Sequence, residues 1–151
     1  EAIRTSVAFG DSNKYPMLAP VAWHMIENAN FSGSLVGLDN QGNVGVDAFV
    51  ASGESGVFAR KLLSLGTGPY RLRIGVDNVA GRARGSITIS CLDGSGGETL
   101  AATAALGAPE TVVPLSVTSG CPAQLIELKI AGASNEDGGM LIRTMRLDRG
   151  K

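Results

Sequence analysis

The stretch Tyr70-Arg71-Leu72-Arg73-Ile74-Gly75-Val76-Asp77 decides how the chain is read. Tyr70, Leu72, Ile74 and Val76 take every second position, and Arg71, Arg73, Gly75 and Asp77 fall between them. Side chains alternate across a strand, so this period of two describes a strand with one buried and one solvated face. Ser86 to Leu92 repeats the pattern, with Ile87, Ile89 and Cys91 set against Ser86, Thr88 and Ser90. Leu125 to Ala131 does so again, with Ile126, Leu128 and Ile130 against Leu125, Glu127 and Lys129.

The flanking segments extend the same reading. Val44 to Ala51 alternates, and Ser34 to Leu38 leads into Asp39-Asn40-Gln41-Gly42, a hairpin signal. Val57 to Leu65 is bounded by Gly56 and Gly66-Thr67-Gly68-Pro69 and reads as a strand, with a helical turn over Phe58–Leu63 as its alternative. Thr111 to Val117 carries Pro114, which cannot donate to a ladder, so it belongs at an edge or a bulge. Val21 to Glu27 reads as a strand, with a short helical turn as its alternative, Thr5 to Phe9 alternates weakly, and Met140 to Leu147 is the last strand. Leu100 to Leu106 is alanine-rich and is the place in the series most open to a helical turn instead of a strand. The sum is roughly nine or ten short strands with no long amphipathic helix, the pattern of an all-β, two-sheet antiparallel β-sandwich of jelly-roll type.

Size and composition agree. The 151 residues form one domain, expected over residues 1–151. The chain starts at Glu1 and is read as a fragment of a longer secreted or envelope protein. Its 21 glycines supply turns rather than helices. With 13 basic and 14 acidic residues, nothing in the charge balance argues for nucleic acid. No apolar run reaches the length of a membrane span, so no membrane insertion is expected.

Two cysteines are present, Cys91 on the core side of its strand and Cys121 in a turn. They read as one disulfide, closing a loop that stabilises by roughly 3–4 kcal/mol in the chain-entropy model. The alternative is a pair of buried free thiols. Two cysteines and one histidine, scattered, do not make a zinc set.

Catalytic constellations are sparse. Phe9-Gly10-Asp11-Ser12 resembles the nucleophile block of Gly-Asp-Ser-Leu esterases. That chemistry needs a histidine base oriented by a carboxylate. His24 is the single histidine, and the C-terminal segment has none, so the block reads as a turn. His24, between Trp23 and Met25, reads as a packed or half-exposed structural histidine. Asp39 with Asp47, and Glu136 with Asp137, are carboxylate pairs in or beside turns, where calcium suits them better than glycoside hydrolysis. The polar strand faces are the stronger lead. If the three alternating strands share one sheet, Arg71, Arg73, Asp77, Thr88, Glu127 and Lys129 form a single hydroxyl-bearing, charged surface, joined by Arg143 or Arg146.

The chain resembles jelly-roll carbohydrate-binding modules through Phe9, Trp23, Leu62-Leu63-Ser64-Leu65, Gly68-Pro69 and Tyr70-Arg71-Leu72. It is also similar to C-terminal modules of bacterial envelope proteins with tetratricopeptide repeats, through Ile87-Thr88-Ile89-Ser90-Cys91 and Cys121-Pro122-Ala123-Gln124-Leu125-Ile126-Glu127-Leu128. The resemblance implies a non-catalytic glycan- or polysaccharide-binding module linked to exopolysaccharide. Its expected place is periplasmic, outer-membrane-associated or extracellular, with the rest of a parent polypeptide as partner. It also implies a structural calcium held partly by an Asp of the last strand. Here that strand carries Arg143 and Arg146, so no cofactor is expected. Sugar platforms use exposed aromatic faces, for which Tyr15 and Trp23 are the candidates, Trp23 with a competing place in the core. The rival reading is a structural or protein-interaction domain without a small ligand.

Overall fold

The computed structural model describes Val7 and residues 23–41, 43–95 and 97–150. Tyr15, with Phe9, Asp11 and Ser12, lies outside the described residues.

Ten strands are formed: β1 (His24–Met25), β2 (Phe31–Gly37), β3 (Val44–Val50), β4 (Ser55–Leu63), β5 (Gly68–Ala80), β6 (Arg84–Leu92), β7 (Glu98–Leu106), β8 (Glu110–Val117), β9 (Ala123–Ala131) and β10 (Gly138–Arg149). They make two antiparallel five-stranded sheets, β1-β4-β9-β6-β7 (the first sheet) and β2-β3-β10-β5-β8 (the second). No helix occurs among the described residues.

The alternation read from the sequence holds along most of these strands, except that Ser90, read as outward, is buried beside a register shift in the β6–β7 pairing. Ile87, Ile89, Ile126, Leu128 and Ile130 of the first sheet, with Val46, Leu72, Ile74 and Ile142 of the second, are essentially fully buried in one core. Each such side chain contributes roughly 1.5–3 kcal/mol by leaving water. Trp23 closes one end, its indole Nε1–H donating to the Val7 carbonyl at 2.7 Å.

Two segments depart from simple expectation. Leu100–Leu106 is not a helical turn but lies inside β7, paired along β6. Alanine's helix propensity loses to the ladder, because Ala102, Ala104 and Leu106 pack one strand face against the core. In β4 the pairing shifts between Val57 and Ala59, the mark of a bulge. Phe58 and Ala59 are therefore both buried, and from there Arg60 and Leu62 turn outward while Lys61 and Leu63 are buried. Pro114 sits in β8, at the edge of its sheet, where its missing N–H costs no central ladder bond.

Cys91 and Cys121 form the disulfide, with Cα atoms 5.3 Å apart and 30 residues of separation. Beside it, Gln124 is fully buried opposite Cys91. Its Oε1 accepts the Leu65 N–H at 2.8 Å, and its Nε2 donates to the Cys121 carbonyl at 3.0 Å. One amide thus ties the β4–β5 loop to the turn before β9.

Reduction of the disulfide, or Cys91→Ser with Cys121→Ser, is expected to lower stability by roughly 3–4 kcal/mol. This is read as a lower urea midpoint with strand circular dichroism retained. Gln124→Leu is expected to cost roughly 1–3 kcal/mol, because the buried Leu65 N–H and Cys121 carbonyl lose their partner. An unchanged midpoint in that variant would show that water reaches both groups.

Candidate functional site

The outward-facing residues of the first sheet fall into rows set by strand register. His24 opposes Arg60, Arg60 opposes Glu127, Glu127 opposes Thr88, and Thr88 opposes Thr103. Five strands each contribute one polar side chain to this line, which at the usual strand spacing spans roughly 19 Å. The next row carries Lys129 and Ser86, directly opposed, and continues to Ala105. On the other flank Leu62, Leu125, Ser90 and Leu100 form a more apolar row, with Leu62 46% and Leu100 59% exposed.

Few of these polar groups are committed elsewhere. The Thr103 hydroxyl donates to the Ile87 carbonyl at 3.1 Å. Among the described residues His24, Arg60, Thr88, Glu127 and Lys129 make no side-chain hydrogen bond or ion pair. The row therefore offers a cation, a carboxylate, an imidazole and a hydroxyl to solvent, a donor and acceptor set suited to a hydroxyl-rich ligand.

The outer face of the second sheet is different. Arg73 pairs with Glu110 at 3.5 Å and Asp148 at 3.3 Å. Asp148 also takes Arg146 at 3.1 Å, and Asp77 takes Arg143 at 2.7 Å. Both Arg143 and Arg146 reach this face because β10 carries a register shift between Ile142 and Thr144. These charges largely satisfy one another. The Arg146 hydrogen bond holds the Asp148 carboxyl below the ordinary 3.8, with Arg73 adding to it. The Arg143 hydrogen bond lowers Asp77, helped by the Asn78 N–H. Among the described residues the Arg71 side chain makes no hydrogen bond or ion pair. It lines a cleft of about 420 Å³ with Pro69, Pro114 and Ser116 at the β7–β8 edge.

The structure thus corrects the single polar surface expected from the sequence. Arg71, Arg73 and Asp77 stand on one sheet, Thr88, Glu127 and Lys129 on the other, and the two groups face opposite sides of the sandwich. Alternation fixes inside against outside within a strand but does not say which strands are neighbours. Three residues of the polar row were missed, His24, Arg60 and Thr103, the last within the alanine-rich segment that left its strand faces unread. His24, read as packed or half-exposed, is exposed, and the strand alternation of Trp23, His24 and Met25 was the signal for it. Arg60 depends on the β4 bulge, for which the only cue was the adjacent apolar pair Phe58-Ala59.

The carboxylate pairs do local work. Asp39 accepts the Gln41 and Asn43 N–H groups, Asp137 accepts the Ser52 N–H, and Glu136 pairs with Arg82. Asp47 is exposed on β3. Among the described residues no group of three or more His, Cys, Asp or Glu is placed to hold a metal ion.

No family model matches the chain, nor does any curated relative. The fold is similar to that of solved carbohydrate-binding β-sandwich modules. One is TmCBM61, solved in complex with β-1,4-galactotriose, with TM-score 0.52 and 15% identity over 85% of this chain and 88% of that one. A second belongs to a study of promiscuous specificity in carbohydrate-binding modules of the β-sandwich superfamily, with TM-score 0.54 and 12% identity over 83% of this chain and 56% of that one. The enzymatically active domain of bacteriophage CBA120 tailspike protein 4 shares the fold too, with TM-score 0.54 and 11% identity, over 86% of this chain but only 19% of the other. At these identities the likeness is one of fold.

The depressed carboxylates imply a pH dependence. Asp77, Asp93 and Asp148 are all lowered from 3.8, Asp93 chiefly by the Ser95 hydroxyl. A carboxylate depressed in the folded state contributes stability that is present above its unfolded value and lost as pH falls through the folded one. The melting temperature is therefore expected to fall from about pH 5 downward. Asp77→Asn with Asp148→Asn should flatten the slope, and added salt should weaken it. A slope unchanged in the double variant would place the dependence on other groups.

Proposed function

We propose that this chain is a non-catalytic carbohydrate-binding module that holds a glycan along the outer face of the first sheet. The observation that carries the reading is the register row His24–Arg60–Glu127–Thr88–Thr103, whose charged members are uncommitted while those of the opposite face are largely paired. The fold it shares with carbohydrate-binding modules supports it. Thr88, Glu127 and Lys129 belong to the proposed site. Arg73 and Asp77 do not, because they stand on the outer face of the other sheet, and Arg71 stands apart from the row. The disulfide suits an oxidising compartment, in keeping with an extracellular, periplasmic or outer-membrane-associated module of a bacterial envelope protein that engages exopolysaccharide. No helix is long and apolar enough to cross a membrane among the described residues.

Affinity electrophoresis against neutral and acidic polysaccharides tests this. Thr88→Ala with Glu127→Ala is expected to weaken retardation about tenfold or more, since each removes a hydrogen-bonding group from the row. Arg71→Ala with Arg73→Ala is expected to leave it unchanged. The reverse result would move the site to the second sheet.

A protein-docking reading is favoured by one observation, the exposed Leu62 and Leu100 beside the polar row. Absence of retardation by every polysaccharide would transfer the assignment to it.

A further inference from the structure

We propose that Arg82 and Arg84 form an anion-binding subsite at one end of the sandwich, which takes the carboxylate or sulfate group of an acidic sugar. The inference rests on the reading of the first sheet as the glycan-binding face and names the charge of the ligand it prefers.

The β5–β6 turn and the β9–β10 loop enclose a cleft of about 680 Å³. Arg84 enters it from β6. It shares the outward alternation of Ser86 and Thr88, so it is the continuation of the polar face, one row beyond Lys129 and Ser86. Its neighbours in the cleft, Ala131, Gly132 and Ala133, are too small to cover a guanidinium. The Arg84 side chain makes no hydrogen bond or ion pair among the described residues. An unpaired planar fork of donors beside open space matches a carboxylate or sulfate in geometry as well as charge.

Arg82 supplies a second, independent observation. It follows Gly81 in a two-residue turn closed by the Ala83 N–H on the Ala80 carbonyl at 3.2 Å. Both turn residues have positive φ, +64° at Gly81 and +54° at Arg82. Gly81 is required, because a Cβ there would collide with the Asp137 carbonyl oxygen. Arg82 is not what such a turn prefers, since glycine or asparagine adopts its backbone more readily. The strained position presents the side chain at the rim of the cleft. Glu136 takes its Nε–H at 3.2 Å and the Asn135 Oδ1 takes Nη2 at 3.3 Å. Two of its five donors are thereby used to orient the guanidinium, and the other three remain for a ligand. Lys129 adds a third cation on the same side.

Glu136 offsets the charge of Arg82, which contributes its three unused N–H donors rather than net charge, so the uncompensated cations of this end are Arg84 and Lys129. Asp137 accepts the Ser52 N–H, and Glu127 lies two rows from Arg84, beyond Lys129. A polysaccharide on the polar row that extends past Lys129 meets Arg84 next.

The experiment measures affinity electrophoresis of the wild-type chain, Arg84→Ala and Arg82→Gly against polygalacturonate, a sulfated galactan and a neutral galactan. Arg82→Gly suits the turn, so its melting temperature should equal or exceed that of the wild type, which separates loss of binding from loss of fold. The expected result is retardation by an acidic polysaccharide that weakens about tenfold in each variant, with neutral galactan unaffected. Preference for polygalacturonate over the sulfated galactan would assign the carboxylate, and the reverse would assign the sulfate ester. Equal retardation by neutral and acidic polymers, or acidic retardation unchanged in both variants, would overturn the subsite and leave the glycan-binding reading standing. No retardation by any polymer would overturn both.

Discussion

The position of β9 between β4 and β6 is the constraint on which the rest of the structure depends. Its inward residues Ile126, Leu128 and Ile130 are fully buried. A slip of one residue would carry all three to solvent and bring Glu127 and Lys129 into the core. That penalty locks the register on both sides. The lock sets Gln124 opposite Cys91, beside the disulfide, and aligns Arg60, Glu127 and Thr88 in one line. Core, cross-link and candidate site are consequences of the same pairing.

The two outer faces are built from similar residue types and differ in how the charges are spent. On the second sheet, Glu110, Arg73, Asp148 and Arg146 form a continuous chain of pairs, with Arg143 and Asp77 beside it. Exposed pairs of this kind each contribute little stability, but they lower the free charge available to a ligand. On the first sheet Arg60 and Glu127 oppose one another without forming an ion pair. The contrast lies in partners rather than composition, so it is a property of the folded chain.

Much of the fold was legible because burial imposes a period of two on every strand with one wet face. The strands containing Tyr70–Val76, Ser86–Leu92 and Leu125–Ala131 were read in this way. Alternation failed where another force outweighed it. Leu100–Leu106 looked helical by propensity, yet ladder pairing with β6 and the small core-facing alanines made it a strand. In β4 the bulge reversed the phase, burying Lys61 to 3% exposure and turning Arg60 outward. Of the expected site, Tyr15 falls outside the described residues, and Thr88, Glu127 and Lys129 lie on the proposed face. Arg71, Arg73 and Asp77 do not, because sheet membership is set by long-range pairing.

By itself the sequence determined the fold class, the inward and outward faces of the regular strands, the confinement of Pro114 to an edge or a bulge and the candidate pairing of its only two cysteines. These follow from local rules: side-chain period, the missing proline N–H and the count of thiols. Only the tertiary structure decided the strand order, the line from His24 to Thr103, the pairing of the second sheet's charges and the cleft that joins Arg82 to Arg84. Each of these brings together residues far apart in the chain, as Arg82 and Glu136 are. Such pairings are chosen by the burial of the whole core and by bulges that shift register, and no local pattern encodes them.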